Sequence, residues 1–242
     1  MDLSTTTALV TGANRGLGLA LVQRLLSAGT RKVYAAARDT SALQPLVQAN
    51  PGRLQTLTLD ITDADQVAAA RALCHDVTLL INNAGINRSQ GFIAAPSLAD
   101  AQAEINTNYL GTLAMCRAFA PQLAGGAIVN VLSILAKLSL PAMGSLCASK
   151  AAGLRLTEGV RAELAAQHTR VLAVMTGALD TDMSRDFQGP KSAPAEVADA
   201  LLAAMAGDAD EVYVGEMAAW INSALLQDAK AVERELAKFL PG

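Results

Sequence analysis

The stretch Thr6-Thr7-Ala8-Leu9-Val10-Thr11-Gly12-Ala13-Asn14-Arg15-Gly16-Leu17-Gly18 decides how this chain is read. A short β-branched and apolar run leads into a turn with three glycines, and helical periodicity begins at residue 16. Glycine adopts positive φ without a Cβ penalty and lets another backbone come close. Between a strand and a helix, such a turn lets backbone N–H groups at the helix N-terminus meet a pyrophosphate. The spacing is GxxxGxG rather than GxGxxG, and its place directly after a strand gives the motif its weight.

Outward from that turn, the chain alternates short Leu-rich or β-branched runs with Ala-rich helical stretches. Strands are expected at Thr6–Val10, Lys32–Ala36, Leu54–Leu59, Val77–Asn82, Ala127–Leu132, Arg170–Thr176 and Glu211–Val214. Helices are expected at about 16–29, 41–49, 63–74, 98–122, 146–167 and 194–206, with a last one near Gln227–Leu240. Strict β-α-β alternation implies a parallel sheet with helices on both faces. Right-handed crossovers make it doubly wound, with ligands at the carboxyl ends of the strands. No linker or repeat interrupts residues 1–242, so one domain is expected. The polar stretch Met183–Ser192 lies just past a strand's carboxyl end, where a short substrate lid would sit.

Composition narrows the class. Aromatics are 3 % of the chain against 52 % hydrophobic residues, so the core must come mainly from Ala, Leu and Val. A net charge of −3 leaves no footprint for nucleic acid. No apolar run reaches the roughly 18 residues of a membrane span, and no signal peptide is visible before the first strand. Cys74, Cys116 and Cys147 form no CxxC pair, and His75 and His168 lack metal-ligand spacing. A reduced, cytoplasmic, metal-free protein acting on a small molecule is the expectation.

The end of the second strand selects the cofactor. An acidic residue there hydrogen-bonds a free ribose 2′-hydroxyl, whereas arginine accommodates a 2′-phosphate. Here Ala37 and Arg38 hold that place, with Asp39 one residue late. Arg15 in the glycine-rich turn offers a second guanidinium. NADP is therefore the expected cofactor.

Thr11–Gly18, Asp60-Ile61, Asn82-Asn83-Ala84-Gly85, Asn108, Ser133 and Lys150 stand in the order and spacing of the short-chain dehydrogenases/reductases, which the chain resembles over nearly its whole length. The resemblance implies a Rossmann-type fold of seven parallel strands. It also implies a homodimer or homotetramer built through the long helices at about 98–122 and 146–167. Gly12, Asn14, Arg15, Gly16, Leu17 and Gly18 then line the pyrophosphate. Asp60 and Ile61 meet the adenine, while Asn83, Ala84 and Gly85 line the cofactor. Asn108 anchors a water-mediated proton relay, Ser133 hydrogen-bonds the substrate carbonyl, and Lys150 binds the nicotinamide ribose. Gly177 and Thr181 border the nicotinamide carboxamide. The catalytic residues expected on this basis are Ser133, Lys150 and Asn108.

Three positions depart from the family pattern. Leu146 stands where the catalytic tyrosine belongs, thirteen residues after Ser133 and four before Lys150; Leu132 replaces a frequent second serine, and Thr176 the usual proline. Leucine has no proton to give, and losing a positioned general acid costs roughly 10²–10⁴ in rate. Lys150 lies one helical turn beyond Leu146 on the same face. It can therefore feed protons to a water in the tyrosine's place, with Asn108 ordering that water. Tyr109 is expected to pack away from the site, Cys147 to be structural filler, and Ser145 to cap its helix. Asn87, Arg88 and Asp182 border the cleft in this reading. Two functions stay open: an NADPH-dependent reductase of a carbonyl, imine or conjugated carbonyl, and a non-redox cofactor-binding sensor, pseudoenzyme or scaffold.

Overall fold

Seven parallel strands form one sheet in the order β3-β2-β1-β4-β5-β6-β7. The computed structural model describes residues 1–241. The strands are β1 Thr7–Thr11, β2 Lys32–Ala37, β3 Leu54–Thr58, β4 Leu79–Asn82, β5 Ala127–Val131, β6 Arg170–Thr176 and β7 Glu211–Val214. The helices are α1 Gly16–Ser27, α2 Gln44–Ala49, α3 Ala64–Leu73, α4 Ala99–Glu104, α5 Thr112–Phe119, α6 Gly144–Leu164, α7 Pro194–Ala204 and α8 Glu216–Leu236. Among the described residues no helix is long and apolar enough to cross a membrane.

Every residue of β1 is buried because the sheet is covered on both faces. Successive side chains point to opposite sides. Ala8 and Val10 join one core with Leu21, Leu25, Val197 and Leu201, while Leu9 joins the other with Met115, Phe119 and Ile128. Strand order reverses between β1 and β4, which places a switch-point crevice beyond their carboxyl ends. Both the glycine-rich turn and the Asn82–Gly85 turn open there.

Local structure departs from the sequence expectation in three places. The helix expected over 98–122 contains a π-helical segment at Ile105–Gly111. Asn108 at its centre is drawn sideways to Ile86 and to Ser149, and its carbonyl accepts from Thr112 Oγ1 at 3.0 Å. These tertiary ties reset the helical ladder, as π insertions often do near functional sites.

Ser145 does not cap α6. The helix begins at Gly144 with Met143 in the cap position, and Ser145 is buried inside the first turn. The final helix starts at Glu216 rather than 227, directly from Gly215 at φ +87. It breaks at Asp228, which has φ −153 and ψ 90. Asp228 Oδ1 accepts from Ala231 N at 2.9 Å, so it caps the second half. That second half is the portion visible in the sequence.

Candidate active site

Thr11 staples the two turns at the switch point. Its Oγ1 accepts from the backbone N–H groups of Asn83 and Ala84, both at 3.0 Å. Asn83 Nδ2 returns bonds to the carbonyls of Thr11 at 2.9 Å and Gly12 at 3.2 Å. The turns are so close that a side-chain carbon at Gly12 would meet Ala84 Cα at 2.9 Å, and Gly12 itself has φ +63. Behind them, Asn82 Nδ2 donates to Asn130 Oδ1 at 2.8 Å, and Asn130 Nδ2 to Thr157 Oγ1 at 2.9 Å. This buried network ties β4, β5 and α6 together.

One continuous cleft of about 2140 Å³ runs from this crevice to the start of α6. That exceeds the roughly 300–1,000 Å³ of a single drug-sized pocket, so it has room for a dinucleotide and a second molecule. Gly12, Asn14, Arg15, Gly16, Leu17, Gly18, Arg38, Asp60, Ile61, Asn83, Ala84 and Gly85 line one part. Ser133, Leu146, Lys150, Gly177 and Thr181 line the other, and Asn87, Arg88 and Asp182 border it. Asn108 is buried just behind the wall.

At the β2 end, Arg38 is exposed and makes no ion pair among the described residues. Asp39 Oδ1 accepts from Ser41 N at 2.9 Å, a turn contact that holds its carboxyl below the usual range. The Asp60 carboxyl is likewise lowered, because it accepts from Thr62 N at 2.9 Å and from Thr62 Oγ1 at 2.7 Å. Arg15 reaches across the cleft to Asp182, with Nη1 and Oδ2 at 3.2 Å. Both side chains are exposed, so the pair contributes little to stability.

At the other end, Ser133 Oγ donates to the Thr176 carbonyl at 3.3 Å and accepts from Leu135 N at 3.2 Å. The two substituted positions nearby meet one another: Thr176 Oγ1 donates to the Leu132 carbonyl at 3.4 Å, while the Leu132 side chain packs against Leu154. Lys150 Nζ donates to the Val131 carbonyl at 3.3 Å. Enclosure by protein pushes this ammonium down to about 8, and the negative charge of Glu104 opposes that shift. Leu146 is 6 % exposed, one turn before Lys150. Cys147 is buried with Sγ accepting from Leu140 N at 3.3 Å, and burial pushes its thiol up. Tyr109 is half-buried and lies outside the cleft lining.

The segment after β6 closes on itself. Leu179 pairs with Ser192, Asp180 N donates to the Ser192 carbonyl at 2.9 Å, and Ser192 N donates to the Ala178 carbonyl at 2.9 Å. Met183, Ser184, Asp186 and Phe187 of this loop face the cleft. Sequence reasoning missed the opposite wall, formed by Met217, Trp220, Ile221 and Phe239. The amphipathic run after Gly215 was the available signal for it. The buried Glu104 was missed as well; its position four residues before Asn108 was the clue.

A doubly wound sheet with a glycine-rich turn at its switch point, a serine just past a strand end and a lysine on the helix that follows it, defines a dinucleotide-dependent oxidoreductase class. The chain belongs to the short chain dehydrogenase family, whose profile matches residues 6–191. It is 50 % identical to a short chain dehydrogenase from Burkholderia cenocepacia solved in complex with NADP, at a TM-score of 0.93 over 98 % of this chain and 99 % of that one. It is 30 % identical to 2-(R)-hydroxypropyl-CoM dehydrogenase of Xanthobacter autotrophicus over 90 % of this chain and 95 % of that protein. Rat estradiol 17-beta-dehydrogenase 1 is 34 % identical over 82 % of this chain, which spans 61 % of that protein's length.

Proposed function

We propose that the protein is an NADPH-dependent reductase of a small carbonyl, imine or conjugated carbonyl compound, atypical in using a proton route that bypasses the missing tyrosine. The observation that carries this reading is the single cleft joining the glycine-rich turn and Arg38 to Ser133, Leu146 and Lys150. Residues 1–242 act as one cofactor-binding unit, with the 183–192 loop as lid.

The crevice fits a dinucleotide. The Gly12–Ala84 approach leaves no space for a side chain where a pyrophosphate must come close to the backbone. Asp39 is turned to Ser41, which leaves Arg38 to meet a 2′-phosphate. NADPH, when bound, supplies the hydride. Ser133 gives a hydrogen bond to the substrate oxygen, stabilising negative charge as it develops. Lys150 holds the nicotinamide ribose and keeps a proton in reserve beside Leu146, while Asn108 fixes the Gly85–Ile86 backbone through Ile86 N at 2.8 Å. Leu146 itself forms an apolar wall. Iminium substrates and enones need the least help from a positioned acid, so they suit this site best.

The binder reading rests on Leu146 and on Ser133 Oγ, whose partners are already protein groups. NADPH absorbance decides between the two. Its loss is expected with at least one member of a panel of ketones, imines and enones; a flat trace with every compound, alongside tight NADPH binding, sinks the reductase reading.

A further inference from the structure

The helix that forms the far wall of the cleft does not run straight. α8 leaves Gly215 with Met217, Trp220 and Ile221 lining the cleft, and Asp228, at φ −153 and ψ 90, interrupts it. An unbroken helix of this length would carry its end about 30 Å onward in one direction. Instead the chain beyond the break reaches the start of α6, where the Phe239 carbonyl accepts from Ala142 N at 3.1 Å. Pro241 packs on Gly91, since a side-chain carbon there would lie 2.7 Å from Pro241 Cγ. Phe239 and Pro241 thereby join Trp220 in the lining of one cleft.

Two contacts fix this wall to the reacting end. Ile134, the residue after Ser133, packs with Ala218 and Ile221 of α8. Met217 lies on Gly177, where a side-chain carbon would meet the Met217 Cβ at 3.0 Å. The rings of the wall are nevertheless open to the cleft: Trp220 is 69 % exposed and Phe239 56 %. Exposed apolar side chains grouped on a concave surface mark a ligand site. Because this surface is continuous with the crevice of the glycine-rich turn, the ligand is the molecule that meets the cofactor.

Charge narrows the ligand further. Asp180, Asp182 and Asp186 of the lid line the cleft. Asp182 is paired with Arg15 at 3.2 Å and Arg185 at 2.6 Å, whereas Asp180 and Asp186 are exposed and make no ion pair among the described residues. Arg88 is paired with Asp100 at 3.6 Å, and Lys150 lies enclosed at the reacting end. An anionic group entering along the wall would leave water with no open cation to receive it, which is strongly unfavourable.

We propose that Trp220 and Phe239 determine specificity, and that the wall they form takes a bulky apolar carbonyl or imine compound carrying no anionic group. The inference rests on the reductase reading for the reaction, while the surface it names is tested by binding alone.

The experiment is a calorimetric titration of the protein–NADP complex with benzylideneacetone, its para-carboxylate analogue, and cyclohexenone as a small enone. Benzylideneacetone is expected to bind at least about tenfold tighter than cyclohexenone, through the extra ring it buries. It is expected to bind at least about tenfold tighter than the carboxylate, which finds no open cation. Trp220→Ala and Phe239→Ala should each weaken benzylideneacetone by about five- to tenfold and leave NADPH and cyclohexenone unchanged. Phe239→Arg should strengthen the carboxylate by about tenfold. Carboxylate binding as tight as that of benzylideneacetone overturns the proposal. So does wild-type affinity in both alanine variants, or no saturable binding of benzylideneacetone at all. Selective binding without NADPH oxidation by any compound sinks the reductase reading alone. Faster reduction of the carboxylate than of its neutral partner sinks this proposal alone.

Discussion

Leu146 and Lys150 stand one turn apart on α6 and line the same cleft, the leucine 6 % exposed and the lysine Nζ 3.3 Å from the Val131 carbonyl. An apolar wall thus adjoins the amine on which the proposed proton route relies. A phenol placed at Leu146 would lie between that amine and the substrate space.

Leu146→Tyr is therefore expected to raise kcat on ordinary ketones by at least tenfold, within the roughly 10²–10⁴ that a positioned acid provides. Enones and iminium compounds gain less because their reduction relies less on an acid. Steady-state rates on a matched ketone and enone check this. Equal gains on both, or a loss on the ketone with the fold intact, would show that the missing phenol was not limiting.

The pH dependence follows from Lys150. Its ammonium loses the proton as pH rises through about 8, below the ordinary lysine value, because protein encloses it. With Lys150 as the proposed proton source, delivery is expected to be fully present below that pH and to decline above it, approaching tenfold per unit. A pH profile of NADPH oxidation, corrected for substrate ionisation, is expected to show a single alkaline fall near 8. A flat profile from 7 to 10 excludes Lys150 as the proton source.

In the proposed NADPH reading, cofactor preference is expected to lie with Arg38 more than Arg15. Arg38 is exposed at the end of β2 and makes no ion pair among the described residues, whereas Arg15 is paired with Asp182 at 3.2 Å. A charge-assisted hydrogen bond is worth roughly 1.5–3 kcal/mol. Arg38→Ala should thus weaken NADPH binding by about ten- to a hundredfold and leave NADH nearly unchanged, with a smaller loss for Arg15→Ala. Calorimetric titration with both cofactors checks it; parallel weakening of NADPH and NADH refutes the phosphate contact.

The sheet was legible because its signals are local. Alternation in Ala8, Leu9 and Val10 feeds two cores, and the turn residues from Thr11 to Gly18 have a backbone chemistry that few other residues can meet. Asn83, Ser133 and Lys150 could be placed through the family resemblance, whose motifs sit at strand ends and on one helix. The π segment could not, because Asn108 is pulled out of register by Ile86 and Ser149, partners 22 and 41 residues away. Ser145 looks like a cap in isolation, yet Phe92 packed on Gly144 shows that the start of α6 is buried, and Ser145 is turned inward with it. The first half of α8 begins at a glycine without any polar cap, so only its amphipathic run announces it. Glu104 reads as a surface acid until the loop at Arg88 closes over it.

Two glycines separate the demands of packing from those of helix propensity. A side-chain carbon at Gly18 would lie 2.1 Å from the Gly12 carbonyl oxygen and 2.6 Å from Asn83 Nδ2, the bond that staples the two turns. The first obstacle is backbone, so relief requires separating α1 from the turn. At Gly159, inside α6, nothing lies within 4 Å of such a carbon. Alanine favours a helix over glycine by about 0.5–1 kcal/mol at either site. Gly159→Ala should therefore raise the melting temperature by roughly 1–4 °C. Gly18→Ala should lower it through overpacking worth roughly 1–3 kcal/mol, and should weaken NADPH binding at the same time. Thermal unfolding with and without NADPH measures both variants. If Gly18→Ala melts as high as Gly159→Ala and binds NADPH normally, the close approach of α1 to the turn is not what positions the cofactor.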